Sequence, residues 1–220
     1  MNTVVYFWRI QRRYLLTALM FMAVNKFILK RNKGVGFIKL LGTGRGETFT
    51  PKDADLLRWG LLITVKDENI AGLDNSKVIK NWRKIAKSEY RVVLDPISAH
   101  GKWSGKEPFS IKAKDWSGKV AAVTRARIVW SKNFTFWSAV PPVTKSLHAS
   151  EGLIAAIGIG EAPIGLQGTF SIWENGAALR QFAYKDSAHT AAIKATSLNN
   201  WYSEELFARF AVIQERGQLN

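Results

Sequence analysis

Cysteine is absent from this 220-residue chain. Its absence excludes a disulfide framework, a thiolate metal site, a cysteine nucleophile and haem attached through thioethers, and it fits a reducing compartment. Histidine is scarce, with three in the whole chain, at positions 100, 148 and 189. They are neither paired nor set in a His-Glu-x-x-His pattern, so a zinc site has no support. No serine sits in a Gly-x-Ser-x-Gly elbow, which removes the usual basis for a Ser-His-Asp hydrolase. Acids are missing from the start of the chain, where Glu47 is the first. A long apolar run is missing too: Tyr14 to Val24 is only about half of the ~20 residues a membrane span needs.

What is there describes a folded, basic protein. The chain is 47% hydrophobic and 12% aromatic, too apolar for disorder, and long enough for one domain with a substantial core or two small ones fused. Its formal charge is +15. Residues 1–110 carry 20 basic against 9 acidic side chains and residues 111–220 carry 12 against 8, so the surplus sits in the first half. Such a field favours anionic partners: nucleic acid, acidic lipid or an anionic cofactor. The start, "VVYFWRIQRRYLLTALMFMAVNKFILKRNK", imitates a secretory signal but lacks a small-x-small cleavage site, and is expected to form a strand followed by a helix.

The chain repeats itself. "GFIKLLGTGRGETFT" and "LIAAIGIGEAPIG" both run from apolar residues into a Gly-x-Gly, at Gly42/Gly44 and at Gly158/Gly160. Each precedes a second strand signal, "RWGLLITVKDEN" and "LQGTFSIWEN", in which Gly60 and Gly168 occupy matching places. Each half then reads strand, helix, strand, strand, helix. The expected elements are Val4 to Ile10, Arg13 to Lys30, Val35 to Leu41, Arg58 to Lys66 and Ser76 to Val92 in the first half. In the second they are Val120 to Val129, Phe134 to His148, Leu153 to Ile159, Leu166 to Trp173 and Gly176 to Thr196, closed by a strand from Leu206 to Gln214. This order predicts an α+β fold of tandem duplicated ferredoxin-like units with antiparallel sheets, able to pair into a barrel-like core. The expected division is a first repeat at 1–99, a Gly/Ser/Lys-rich connector at 100–119 and a second repeat at 120–220.

"GTGRGE" suggests a phosphate loop, but it lacks the Gly-Lys-Ser/Thr ending and joins two strands where such a loop must lead into a helix. Lys77, Lys80, Lys84, Lys87 and Arg91 recur at spacings of three and four, a basic stripe that is either a solvated helix face or a contact for acidic lipid or another polyanion. His100 falls in the connector and His148 at a helix end, and both are expected at the surface. His189 differs in register. Leu179, Phe182, Asp186, His189, Ile193 and Thr196 advance by three or four, which places the imidazole on the stripe facing the sheet, among Ala188, Ala191 and Ala192. Two readings stand at this point: a satisfied core histidine, or a ligand with room beside it for a large flat group.

The segments "GTGRGETFTP", "RWGLLITV", "TRARI" and "GIGEAPIGLQGTFSIWENGAALRQFAYKDSAHTAAIKATSLNNWYSEELFARFAVI" resemble the spheroidene monooxygenase family of carotenoid ketolases. The resemblance implies a haem protein of the dimeric α+β barrel type, a monooxygenase acting on a carotenoid or similar apolar substrate with electrons from an external donor. It implies His189 as the haem iron ligand, with Asp186 one turn earlier as its orienting partner. Thiolate ligation is impossible without cysteine, so a hydrogen-bonded imidazole would have to serve. The haem propionates need cations, and Arg125, Arg127, Arg180 and Lys185 are the candidates, with surface ion pairing as their competing role. A carotenoid dissolves in the bilayer, so the enzyme would meet the inner face of the membrane peripherally through its basic first half. The rival reading is a non-catalytic membrane-surface or polyanion-binding protein on the same fold; nucleic acid fits less well, because the aromatics lack the RNA-recognition pattern.

Overall fold

The computed structural model describes residues 1–48, 51–113, 115–132, 141, 144–161, 166–185 and 201–219. The described strands are β1 (Asn2–Ile10), β2 (Val35–Gly44), β3 (Ala54–Val65), β4 (Ala86–Gly101), β5 (Val120–Ile128), β6 (Leu153–Gly160), β7 (Leu166–Trp173) and β8 (Tyr202–Arg216). The named helices are α1 (Leu15–Leu29), α2 (Ile70–Asp74), α3 (Lys77–Ile85) and α4 (Gly176–Lys185), and residues 144–149 are also helical.

The strands close into one antiparallel barrel in the order β1-β3-β2-β6-β7-β5-β8-β4. Within it each half has the same internal order, β4-β1-β3-β2 and β8-β5-β7-β6, the ferredoxin-like sheet twice over. Equivalent edge strands meet at both seams. β4 and β8 pair from Arg91↔Arg216 to Gly101↔Leu206. Among the described residues, β2 and β6 pair through Gly42↔Gly160 and Thr43↔Ile159, so the two Gly-x-Gly motifs face each other.

Strand residues alternate between two environments. One face points into the barrel, where Val5, Phe7, Leu41, Leu62, Ile157, Phe170 and Phe210 pack together. The other faces the helices. Because both sides are covered, β1 is apolar almost throughout, as the sequence "VVYFW" requires. The barrel interior is filled: Phe7 lies 5.3 Å from Phe170, ring to ring, and Trp103 and Phe109 enter from the segment after β4.

Two expectations need correction. The helix expected over Ser76 to Val92 ends at Ile85, and Ala86 is already extended. Ser76 caps it, accepting a hydrogen bond from the Ile79 amide at 3.4 Å. Beyond Ile85 the chain forms β4, which pairs on both sides, with β1 and β8, and those two ladders outweigh the helical spacing of the lysines. Lys87 and Arg91 therefore leave the basic stripe, which is reduced to Lys77, Lys80 and Lys84; Arg91 is buried and bound to Asp74 at 2.7 Å. β4 runs on to Gly101, and in the segment after it Trp103 and Phe109 belong to the core. In the second half, α4 matches the start of the helix expected from Gly176, and residues 186–196 lie outside the described residues. Most of the helix expected over 134–148 also lies outside them.

Candidate functional site

The "GTGRGE" loop is not an anion cradle. The Asp53 carboxylate accepts hydrogen bonds from the amides of Gly46 at 2.9 Å, Glu47 at 3.1 Å and Thr48 at 3.3 Å, so the groups a phosphate would need are taken. Gly46 has φ +89°, and a Cβ there would stand 2.4 Å from the Ala156 carbonyl oxygen. A ring nitrogen of His148 donates to the Gly46 carbonyl. The loop thus fastens the first half to β6 and to helical residues 144–149.

The pairing registers align the two halves residue by residue. Gly60 faces Phe7 and Leu41, and Gly168 faces Arg125 and Ile159. From that anchor, Ile38↔Ile63 matches Ala156↔Ser171, and Leu40↔Leu61 matches Gly158↔Thr169. In the same way Val4, Tyr6 and Trp8 match Ala122, Thr124 and Ala126. All of these point towards the helices. The first half fills that face with Tyr6, Trp8, Ile38, Leu40, Leu61 and Ile63, topped by Trp82 of α3, which stacks on Trp8 at 4.9 Å. The second half has Ala, Gly, Ser and Thr at the same places.

One end of this second face is closed. Trp173, Val120, Leu147 and Leu179 pack together, with Phe182 stacked on Trp173 at 5.4 Å. Away from that end Thr124 is exposed, between Ala122 and Ala126. The chain leaves the described residues at Lys185, the end of α4, and returns at Trp201, whose carbonyl accepts from the Val129 amide at 2.8 Å next to the end of β5. Those two points bracket the sequence that contains Asp186 and His189, which themselves lie outside the described residues.

The cations separate. Arg125 projects from the opposite face of β5, into the end of the barrel, and is buried there. It pairs with Glu204 and lies 3.5 Å from Glu161. Lys39 reaches the same Glu161 and donates to the Ser104 hydroxyl at 2.6 Å, while the Trp103 indole N–H also donates to Glu161. Burial pushes the Lys39 ammonium down, against the pull of Glu161. Burial alone would raise Glu204, but the amides of Gly105 and Ser104 and the Arg125 guanidinium outweigh it and hold the carboxyl at about 2. Arg125 is therefore committed to two glutamates on the far side of the sheet from α4. Arg127 and Arg180 are exposed, Arg180 on α4 itself, and the Lys185 side chain lies outside the described residues.

Sequence reasoning missed this barrel-end cluster and the small-residue helix-side face. Lys39 and Glu161 are 122 positions apart, and nothing local links them. The small-residue face did have a signal, since "VAAVTRA" and "IAAIGIG" carry small residues where "VVYFWRI" and "FIKLLG" carry large ones.

The chain is 36% identical over 201 residues to the spheroidene monooxygenase of Cereibacter sphaeroides, covering 90% of this chain and 62% of that protein's length. It is 36% identical over 201 residues to the spheroidene monooxygenase of Rhodobacter capsulatus, covering 89% of this chain and 83% of that protein. With the spheroidene monooxygenase of Rubrivivax gelatinosus it shares 34% over 186 residues, covering 84% and 71%. No protein-family model matches the chain. Among solved structures, an anthrone oxidase-like protein aligns with 100% of this chain and 94% of its own at 13% identity and TM-score 0.36. SnoaB from Streptomyces nogalater, a cofactor-independent oxygenase, aligns with 44% of this chain and 96% of its own at 16% identity and TM-score 0.36. Both structural likenesses are too loose to carry an argument about chemistry.

Proposed function

Because the chain belongs to the spheroidene monooxygenase family, we propose that it is an oxygenase acting on a carotenoid or similar apolar polyene, with haem seated between the second-half sheet and its helices. One observation supports this location above the others. The helix face of the second half has small residues at Ala122, Thr124, Ala126, Ala156, Gly158, Thr169 and Ser171, where the first half has bulk, while the barrel interior is filled. On this reading the large flat group lies beside that face, where small side chains leave the backbone close to it.

On this reading His189 holds the iron through its imidazole, and Asp186 orients the ring. Haem, when bound, supplies the oxidation itself, with electrons from an external donor. The chain's own residues position and enclose. Trp173, Phe182, Leu179 and Leu147 close one end against water, and Arg180, exposed on α4, would meet a propionate from the helix side. Arg127 and Lys185 remain candidates for the same duty, whereas Arg125 serves its glutamates.

Protein produced with adequate haem supply is expected to show a Soret band that His189→Ala weakens or removes, and to oxygenate added carotenoid only when a reductant is present. A colourless protein that takes up no added haemin overturns the haem assignment. If that colourless protein still turns over substrate, the reaction is cofactor-free; if it only binds acidic liposomes, the non-catalytic reading replaces this one.

A further inference from the structure

Helix α1 breaks the usual rule for apolar helices. A helix that is hydrophobic all round is normally buried all round. In α1 only one side is: Ala18, Asn25 and Leu29 are buried, and Phe21 packs edge-on against Trp82 at 5.2 Å. The other side faces out, with Leu16 80%, Phe27 65% and Met20 55% exposed, and Leu19, Val24 and Ile28 exposed beside them. At 3.6 residues per turn, Leu16, Met20, Ala23 and Phe27 form one stripe along the helix. Scattered exposed leucines need no explanation, but a contiguous apolar helix face does.

The charges around the stripe identify what covers it. Arg12 and Arg13 precede α1, Lys26 flanks its face, and Lys30, Arg31 and Lys33 follow it. No acid occurs before Glu47. On the same side of the barrel, α3 packs against α1 and exposes Lys77, Lys80 and Lys84, so the surviving part of the basic stripe borders the apolar one. An apolar ridge with cations at both of its ends and along its flanks complements the headgroup and acyl boundary of an anionic bilayer. The geometry excludes spanning: fifteen residues extend about 22 Å against a hydrocarbon core of roughly 30 Å, and one flank is already docked on the sheet.

We propose that α1 is an in-plane membrane anchor whose outer face sinks into the interface of an anionic lipid bilayer while α3 supplies electrostatic attraction. The inference rests on the carotenoid reading for its purpose, since it places the barrel at the source of an apolar substrate, but it rests on the surface alone for its geometry.

Vesicle co-sedimentation tests it. Wild-type protein is expected to sediment with phosphatidylglycerol-containing vesicles and less with pure phosphatidylcholine. The double variant Leu16→Ser/Phe27→Ser alters only exposed positions and should keep the wild-type circular dichroism. It is expected to lose more than about tenfold in partitioning, with the remainder abolished by salt. Lys26→Gln/Lys30→Gln/Arg31→Gln is expected to lose roughly fivefold for each cation removed. Vesicle binding unchanged in the double serine variant overturns the proposal, as does a wild-type protein that ignores anionic vesicles. So does a lipid-free dimer, seen by sedimentation velocity, that the serine variant disperses, because a second copy then covers the face. A Soret spectrum on the same samples reads the cofactor separately, so anchor and haem can fail independently.

Discussion

The two halves of the barrel share one strand order and one register, yet they treat the helix-facing side of their sheets in opposite ways. In the first half Tyr6, Trp8 and Trp82 form a continuous stack with ring separations of 5.2 and 4.9 Å, over Ile38, Leu40, Leu61 and Ile63. Burying each such side chain contributes about 1.5–3 kcal/mol. Its edges are tied down as well: Asp74 accepts from the Tyr6 hydroxyl at 2.7 Å and from Arg91, and Glu89 accepts from the Trp8 indole at 2.7 Å. The second half keeps the backbone and removes the bulk. What the contrast teaches is a division of labour, in which one copy of a duplicated fold fills its helix-facing side with large apolar groups and the other keeps small residues there.

The sharpest way to break that division is to put bulk on the small-residue face. Thr124 is exposed, so Thr124→Trp should cost little stability, within about 0.5 kcal/mol. It restores at that place the aromatic bulk that Tyr6 has in the first half. The expected outcome is loss of the Soret band and of haemin uptake, with an unchanged urea midpoint. A retained band would place the cofactor elsewhere.

The converse experiment hollows the other half. Trp82→Ala should destabilise by about 3–5 kcal/mol, because it removes a fully buried ring and leaves Trp8 stacked on Tyr6 alone. Leu179→Ala, in the smaller cluster over the second sheet, should cost about 2 kcal/mol, the low end for a buried leucine. Urea unfolding of the two variants side by side checks the ranking. Equal losses would mean that the second helix layer is as tightly packed as the first.

Much of this architecture was legible in the sequence, and the reasons why parts were not are physical. The Gly-x-Gly pair and the Gly60/Gly168 match revealed the duplication, because a glycine facing Phe7 or Arg125 is a local requirement that survives in the residue string. β4 was hidden. Its lysines and arginine continue the spacing of α3, and only pairing with β1 and β8, set by distant residues, turns that stretch into a strand. The inward register of His189 is a statement about spacing, and the ligand role comes from family resemblance; both stay where sequence reasoning put them, outside the described residues. Arg125 shows the limit of reading a face from alternation. Its spacing with Arg127 was visible, but whether that face met the helices or the barrel end was decided by neighbouring strands.

That barrel end offers a third contrast. The position of Arg125 corresponds to Phe7, a hydrocarbon ring within the core, so the second half carries a buried cation where the first carries none. Arg125→Met leaves Glu204 and Glu161 facing each other without their guanidinium. Breaking a buried pair from one side costs about 3–5 kcal/mol, and because both glutamates retain some exposure the lower figure, about 3 kcal/mol, is expected. Thermal or urea denaturation measures it. A loss below about 1 kcal/mol would show that water solvates the cluster.

The smallest effect concerns acid. The place of Glu204 corresponds to Ser88 in the first half, so only the second half has a carboxyl there to titrate. Its folded value, about 2, lies below the ordinary 4.5, which means that the folded state favours the ionised form. A depressed carboxyl contributes its stability fully above the ordinary value, and the contribution falls away as pH drops from about 4.5 towards 2. Glu204→Gln should therefore flatten the stability-pH curve in that window, lowering stability near neutrality while making the protein less sensitive to acid. If the wild-type and Gln curves stay parallel from neutrality down to the acid limit, the amides of Ser104 and Gly105 do not hold an ionised group. The ion pair with Arg125 would then be a surface contact, and not the seam of the barrel end.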